Sequence, residues 1–134
     1  MRIWVNGCFD ILHIGHIQLL EYAKTQGYVL VGVDSDERIK KLKGVDRPFN
    51  NLEHRVKMLE SLKFVDDVIT FDTDEELNDI LYLYQPNLIV IGDEYKSKNI
   101  IGAQYANNVH FFQKEIDIST TKILNKKNQK EWKI

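Results

Sequence analysis

The sequence predicts an α/β fold: a doubly wound parallel sheet of five strands with helices on both faces. Two observations carry the prediction. Short apolar segments alternate along the chain with longer segments of helical period. Those short segments are apolar on both faces, as strands must be when helices cover both sides of a sheet.

Residues 2–6, RIWVN, form an apolar run that stops at Gly7 and read as the first buried strand. Over residues 14–26, Ile14, Ile17, Leu20 and Ala23 recur at intervals of three, with Leu19 and Tyr22 beside them. That spacing is helical, and it stops at Gly27. Residues 28–34, YVLVGVD, give the second strand. Ser35 then stands as N-cap to a short helix over 35–42. Residues 43–51 have loop chemistry, with Gly44, Pro48 and two asparagines. Apolar residues at 52, 56, 59 and 62 draw one face of a helix over 52–63. Residues 65–72 are the third strand. Residues 74–84 form a helix with an acidic first turn, where the helix dipole favours carboxylates, and Pro86 ends it. Residues 87–92 and 108–113 supply strands four and five, and Ser119-Thr120-Thr121 opens a last helix.

This order is Rossmann-like. Ligands of such sheets lie beyond the carboxyl ends of the strands, where the strand order reverses. The loop after strand one, the end of strand four and the start of the last helix then meet in one cleft. His13, His16, Asp93 and Thr120 come together there despite their separation in sequence.

A chain of 134 residues makes one domain, 1–134, with no linker or repeat inside it. Hydrophobic residues at 43% and charged residues at 28% are ordinary for a globular protein. A net charge of -2 calls for neither nucleic acid nor membrane as partner. No apolar run approaches a membrane span, and the first residues lack the sections of a signal peptide, so the expected location is cytoplasmic. The single cysteine, Cys8, has no internal disulfide partner and reads as a small packing side chain.

His13 and His16 are three apart at a helix start, so their rings share a face. Gly15 between them lacks a β-carbon and lets a bulky anion approach the backbone. The helix start adds free N–H groups and partial positive charge. Together these suit a phosphate; a pair of capping or surface histidines is the plainer alternative. Zinc does not fit, because H-x-G-H has neither cysteine nor carboxylate companions. No Walker A loop and no G-x-G-x-x-G is present.

NGCFDILHIGH, residues 6–16, resembles the H-x-G-H signature of the nucleotidyltransferase superfamily, in its cytidylyltransferase-like branch. DISTTKIL, residues 117–124, resembles the second signature of that branch. VDSDERIKKLKGVDRPFNNLEHR and GDEYKSKNIIGA are similar to heptose-1-phosphate adenylyltransferases. EHRVKMLESLKFVDDVI and ISTTKI are equally similar to glycerol-3-phosphate cytidylyltransferases. Lys114 and Asp117 stand where the glycerol-phosphate enzymes carry arginine and glycine, and Gly92-Asp93-Glu94-Tyr95 stands where the heptose enzymes show G-G-D-Y.

The resemblance implies transfer of a nucleotidyl group from a nucleoside triphosphate to a phosphorylated sugar or polyol, with pyrophosphate released. Under it His13 and His16 hydrogen-bond the α-phosphate. Gly7, Cys8, Phe9, Asp10 and Gly15 form the nucleotide loop, with Phe9 and its neighbours presenting N–H groups. Asp10 serves either the ligand or local backbone groups. Lys43 or Lys41, from KKLKG, reaches a phosphate, and Arg47 does the same work with a bidentate grip. Arg55 faces phosphate or pairs with a helix carboxylate. Ser119, Thr120 and Thr121 cap a helix whose start holds the β- and γ-phosphates, and Asp93 lies near the ribose or base. Lys43 and Thr120 join the histidines as catalytic candidates. Mg²⁺ bridges the triphosphate, held by phosphate oxygens and water without dedicated protein ligands. The family resemblance further implies a homodimer. A nucleotide-binding module without turnover is the rival of another class.

Overall fold

A computed structural model of the chain describes residues 1–114 and 122–125. Among the described residues the strands are β1 (Arg2–Gly7), β2 (Tyr28–Asp34), β3 (Asp67–Phe71), β4 (Leu88–Gly92) and β5 (Asn108–Phe112). All pair in parallel, in the order β3-β2-β1-β4-β5. The helices are α1 (Ile14–Gln26), α2 (Asp36–Lys43), α3 (Leu52–Glu60) and α4 (Asp74–Tyr84). Two 3-10 turns, Asp93–Tyr95 and Ala103–Tyr105, fill the stretch between β4 and β5.

Alternation along β1 shows how the sheet is covered twice. Ile3 and Val5 point into a cluster with Leu19, Leu20 and Ala23 of α1 and Leu59 of α3. Trp4, between them, points the other way and packs with Leu77 and Leu81 of α4. Each side chain buried this completely stabilises the fold by about 1.5–3 kcal/mol. Gly32 on β2 leaves room for the indole, since a β-carbon there would overlap the Trp4 ring and lie 3.3 Å from Phe71.

Side-chain caps set the helix starts. Ser35 accepts from Arg38 N–H at 3.1 Å, Asn51 from His54 N–H at 3.0 Å and Thr73 from Glu76 N–H at 3.1 Å. Each such cap contributes about 1 kcal/mol. Gln85, left-handed at φ 49°, ends α4 just ahead of Pro86. Helix α3 stops at Glu60 and not at 63, because Ser61 N–H already bonds back to the Lys57 and Met58 carbonyls and the chain tightens into turns. Strand β3 is correspondingly shorter than 65–72, running only over Asp67–Phe71. The expected helix opened by Ser119-Thr120-Thr121 falls outside the described residues at its start; residues 122–125 are helical.

The chain runs outward from β1 to β2 and β3, then returns to β1's other side for β4 and β5. The reversal therefore lies between β1 and β4. These two strands pair only at Ile3 with Leu88 and Trp4 with Ile89, whereas β1 and β2 stay paired from Arg2 to Gly7. Past Trp4 the β1–β4 seam opens, and the crevice it leaves is the natural place for a ligand.

Candidate active site

A cleft of about 360 Å³ occupies that opening. The loop after β1, the end of α2 and the turn after β4 all contribute to its walls. Phe9 turns the chain out of the sheet with φ 49°, a left-handed conformation uncommon for a residue with a side chain. Its buried ring packs against His16, with centroids 5.2 Å apart.

His13 is the N-cap of α1. Its Nδ1 accepts from Gly15 N–H at 3.1 Å, and Nδ1 of His16 accepts from His13 N–H at 3.3 Å. The two rings thus form a reciprocal capping box and stack 3.8 Å apart. An Nδ1 that accepts carries no proton, so each neutral ring holds its proton on Nε2. Burial pushes the His16 pKa down to about 3, and the neighbouring His13, Lys114 and Lys43 charges push the same way. Burial, then Lys114, lowers that of His13. Two neutral imidazoles therefore line the cleft, each with one Nε2–H donor free of the helix backbone. Gly15 makes this possible: a β-carbon there would lie 3.0 Å from Cε1 and 3.1 Å from Nδ1 of His13, and 3.1 Å from Cδ of Lys114.

Gly7, Cys8, Phe9, Asp10, Lys43 and Arg47 also line the cleft. Asp10 does so as a clamp. Its carboxylate accepts from Phe49 N–H at 2.8 Å, Asn50 N–H at 2.7 Å and Arg47 Nε at 3.2 Å. Cys8 is held as a neutral thiol, its pKa pushed up to about 11 by burial and then by Asp34.

Three candidate residues stand off the cleft wall. Arg55 does not face a phosphate: it is 1% exposed, and its guanidinium donates to the carbonyls of Asn50, Cys8 and Asp34 and to the Asp36 carboxylate. It pins the β1 loop, the end of β2 and the start of α3 together. Lys41 lies outside the cleft, whereas Lys43, also exposed, stands on its wall. Asp93 opens the 3-10 turn without lining the cleft, and the tight turn presents Glu94 and Tyr95 in its place. Ser119, Thr120 and Thr121 lie outside the described residues.

Residues that sequence reading missed complete the walls. Asp34, at the carboxyl end of β2, is nearly buried and binds Arg38 Nε at 2.7 Å. Arg38 also holds Asp74 at 2.7 Å and lies over the Phe71 ring. The signal was present: an acid at the carboxyl end of a central strand, four residues before an arginine. Lys114 enters beside the histidines, with Nζ 3.5 Å from Glu94. Among the described residues no group of three or more His, Cys, Asp or Glu side chains is placed to hold a metal. None of the described helices is long and apolar enough to cross a membrane.

Comparison with known proteins agrees with this geometry. The family model described as Cytidylyltransferase-like matches residues 4–126. The Bifunctional protein HldE of Campylobacter jejuni subsp. doylei is 45% identical over 130 residues, which are 96% of this chain and 28% of that protein. The protein of the same name from Campylobacter fetus subsp. fetus is 44% identical over 125 residues, 92% of this chain and 27% of its own length. The chain thus spans little more than a quarter of the length of these relatives. A lipopolysaccharide core biosynthesis protein from Thermoplasma volcanium GSS1 superposes with a TM-score of 0.67 at 24% identity, covering 86% of this chain and 96% of that one. A protein of unknown function from Archaeoglobus fulgidus does so at 0.62 and 16% identity, over 87% and 100% of the two chains. At those identities the likeness is one of fold. The family match runs from β1 past the last described turn, across the whole cleft, and the chain belongs to the cytidylyltransferase-like family.

Proposed function

We propose that the chain is a nucleotidyltransferase acting on a phosphorylated sugar, with ATP as nucleotide and heptose 1-phosphate as acceptor. The observation that carries this reading is the stacked pair His13 and His16, which line the cleft with their Nδ1 atoms engaged at the helix start. An oxygen of the acceptor phosphate attacks the α-phosphorus of the triphosphate. The bond to the α–β bridging oxygen breaks, and pyrophosphate leaves with the electron pair. The two imidazoles donate to the α-phosphate oxygens as charge gathers there, and Lys43 and Lys114 add positive charge. Fixed donors of this kind need no reorganisation during reaction. No enzyme nucleophile is required, and the Cys8 thiol stays protonated beside Asp34.

Mg²⁺ would be carried by the triphosphate, with phosphate oxygens and water as its ligands, and its charge would neutralise the leaving pyrophosphate. Ser119, Thr120 and Thr121 belong to the same reading as holders of the β- and γ-phosphates. The sugar acceptor draws support from the heptose-enzyme resemblance of residues 33–55 and from the HldE relatives. A cytoplasmic homodimer completes the reading.

The second reading is a glycerol-3-phosphate cytidylyltransferase, from which this chain departs in carrying Lys114 where those enzymes carry arginine. Pyrophosphate release measured with ATP and CTP, each crossed with heptose 1-phosphate and glycerol 3-phosphate, decides between them. The heptose reading expects release with ATP and heptose 1-phosphate. Release only with CTP and glycerol 3-phosphate establishes the second reading. No release with any pair points to a binding module without turnover.

A further inference from the structure

Asp34 and Tyr95 reach the cleft from opposite sides of β1. Asp34 follows the last β1–β2 pair, Gly7 with Val33, and stands beside Cys8. Tyr95 comes from the turn after β4, on the other side of β1. Both line the cleft.

Asp34 is built as a fixed acceptor. Its Oδ1 takes Arg38 Nε at 2.7 Å, and Arg55 holds its backbone carbonyl at 2.8 Å. Arg38 is itself held by Asp74 and lies over the Phe71 ring, so it anchors the carboxylate. The two oxygens of a carboxylate accept at about four positions. Among the described residues only Arg38 and the Cys8 thiol approach those of Asp34. The side chain is not sealed: it keeps 9% exposure and contributes no buried atom without a partner. Acceptor capacity is therefore left over on the cleft wall.

Tyr95 is 41% exposed, and its hydroxyl has no hydrogen-bond partner among the described residues. Burial, then Glu94, Cys8 and Asp34, raises its pKa, which keeps a neutral O–H on the acidic side of the cleft. Glu94 beside it is engaged by Lys114 at 3.5 Å.

An ionised carboxylate only accepts, and so do phosphate oxygens, so Asp34 turns away the part of a substrate that the imidazoles attract. A hydroxyl donates to a carboxylate in a short, charge-assisted bond, and it meets a phenol as donor or acceptor. We infer that Asp34 and Tyr95 form a hydroxyl-reading subsite, in which Asp34 accepts from one hydroxyl of a sugar ring and Tyr95 meets its neighbour. The ring is the ribose of the triphosphate or the sugar of the acceptor; the chemistry is shared. The inference rests on the transferase reading and names what its cleft recognises besides phosphate.

Pyrophosphate release by the full chain, with the productive pair of nucleotide and acceptor, tests it. Ligands lacking one hydroxyl are compared with their parents: the 2′-deoxy and 3′-deoxy triphosphates, and acceptors deoxygenated at one carbon at a time. In the wild type one of these analogues is expected to lower kcat/KM about ten- to a hundred-fold. Asp34→Asn keeps an oxygen for Arg38 Nε but loses the charge. It is expected to lower kcat/KM by a similar factor with the parent and to lose nothing further with that analogue, a non-additivity that a merely structural role would not give. A nucleotide analogue that behaves so assigns the subsite to the ribose; an acceptor analogue assigns it to the sugar. Tyr95→Phe removes only a hydroxyl from a partly exposed ring, and is expected to cancel about two- to tenfold of the penalty for a neighbouring hydroxyl. It carries the test where Asp34→Asn does not fold. An Asp34→Asn variant as active as the wild type, or one that loses the same factor with every parent and analogue, overturns the inference and leaves the transferase reading standing. So does a Tyr95→Phe variant that changes no analogue's penalty when Asp34→Asn is unfolded. A wild type that releases no pyrophosphate with any pair overturns that reading, and the inference with it.

Discussion

His13 and His16 each turn Nδ1 toward the first turn of α1, one taking Gly15 N–H at 3.1 Å and the other taking His13 N–H at 3.3 Å. Capping and ligand binding are thus not rival explanations of these rings. The cap uses one nitrogen and fixes the tautomer; the other nitrogen is left as a donor to the cleft. The two roles can be pulled apart by substitution and by pH.

A glutamine at position 16 can still accept from the N-cap N–H, as in an ordinary capping box, but it does not place a donor where Nε2 stands. His16→Gln is therefore expected to keep the thermal midpoint near wild type while kcat falls about a hundred- to a thousand-fold. His16→Ala loses both, with an added cost of about 1 kcal/mol in chemical denaturation. A Gln variant with near-normal turnover would assign the ring to structure alone.

The lowered histidine pKa values set a sign for stability against pH. Both rings are neutral in the folded chain and take up protons near pH 6.5 when unfolded. The unfolded state thus binds more protons below that pH, and the contribution to stability, present above it, is lost as pH falls toward the folded values. Urea midpoints of the wild type should drop between about pH 6.5 and pH 4, and the drop should shrink in His16→Gln. Midpoints that instead rise as pH falls through this range would mean that the rings gain protons on folding.

Gly15→Ala opposes two effects. Alanine favours the helix by up to about 1 kcal/mol, but the new methyl presses on the His13 ring and on Lys114 at 3.0–3.1 Å. Turnover is expected to fall more than about tenfold with little change in melting temperature. Unchanged turnover would show that ring placement tolerates this displacement.

Arg55 is predicted to matter for folding before catalysis. Arg55→Met strands the carbonyls of Cys8, Asp34 and Asn50 and the Asp36 carboxylate, and is expected to cost about 3 kcal/mol in chemical denaturation. A stable variant with a raised substrate KM would return Arg55 to the phosphate.

Arg55 also shows where reading the sequence stopped. The order of strands and helices was legible because apolar period is a local property, and so was the histidine pair, because its spacing and the following helix are local too. The destination of a guanidinium is not local: Arg55 could have met a phosphate or a carboxylate, and only the packing of α3 against the β1 loop decides. Asp10 is similar, since its partners lie 37 to 40 residues away. Asp93 stands off the cleft wall for a smaller reason. A 3-10 turn rotates successive side chains by about a third of a circle, so adjacent residues face in very different directions. Asp34 and Arg38 were legible as an acid at a strand end and an i,i+4 pair, and were passed over.

The most direct test of the central claim is the imidazole nitrogen spectrum of the full chain, recorded by long-range ¹H–¹⁵N correlation near neutral pH with and without nucleoside triphosphate and Mg²⁺. The account predicts that His13 and His16 are both neutral Nε2–H tautomers, and that both Nε2 signals move when the nucleotide binds while the Nδ1 signals stay close to their free positions. Protonated rings, Nδ1–H tautomers, or Nε2 signals that ignore a bound nucleotide would contradict it.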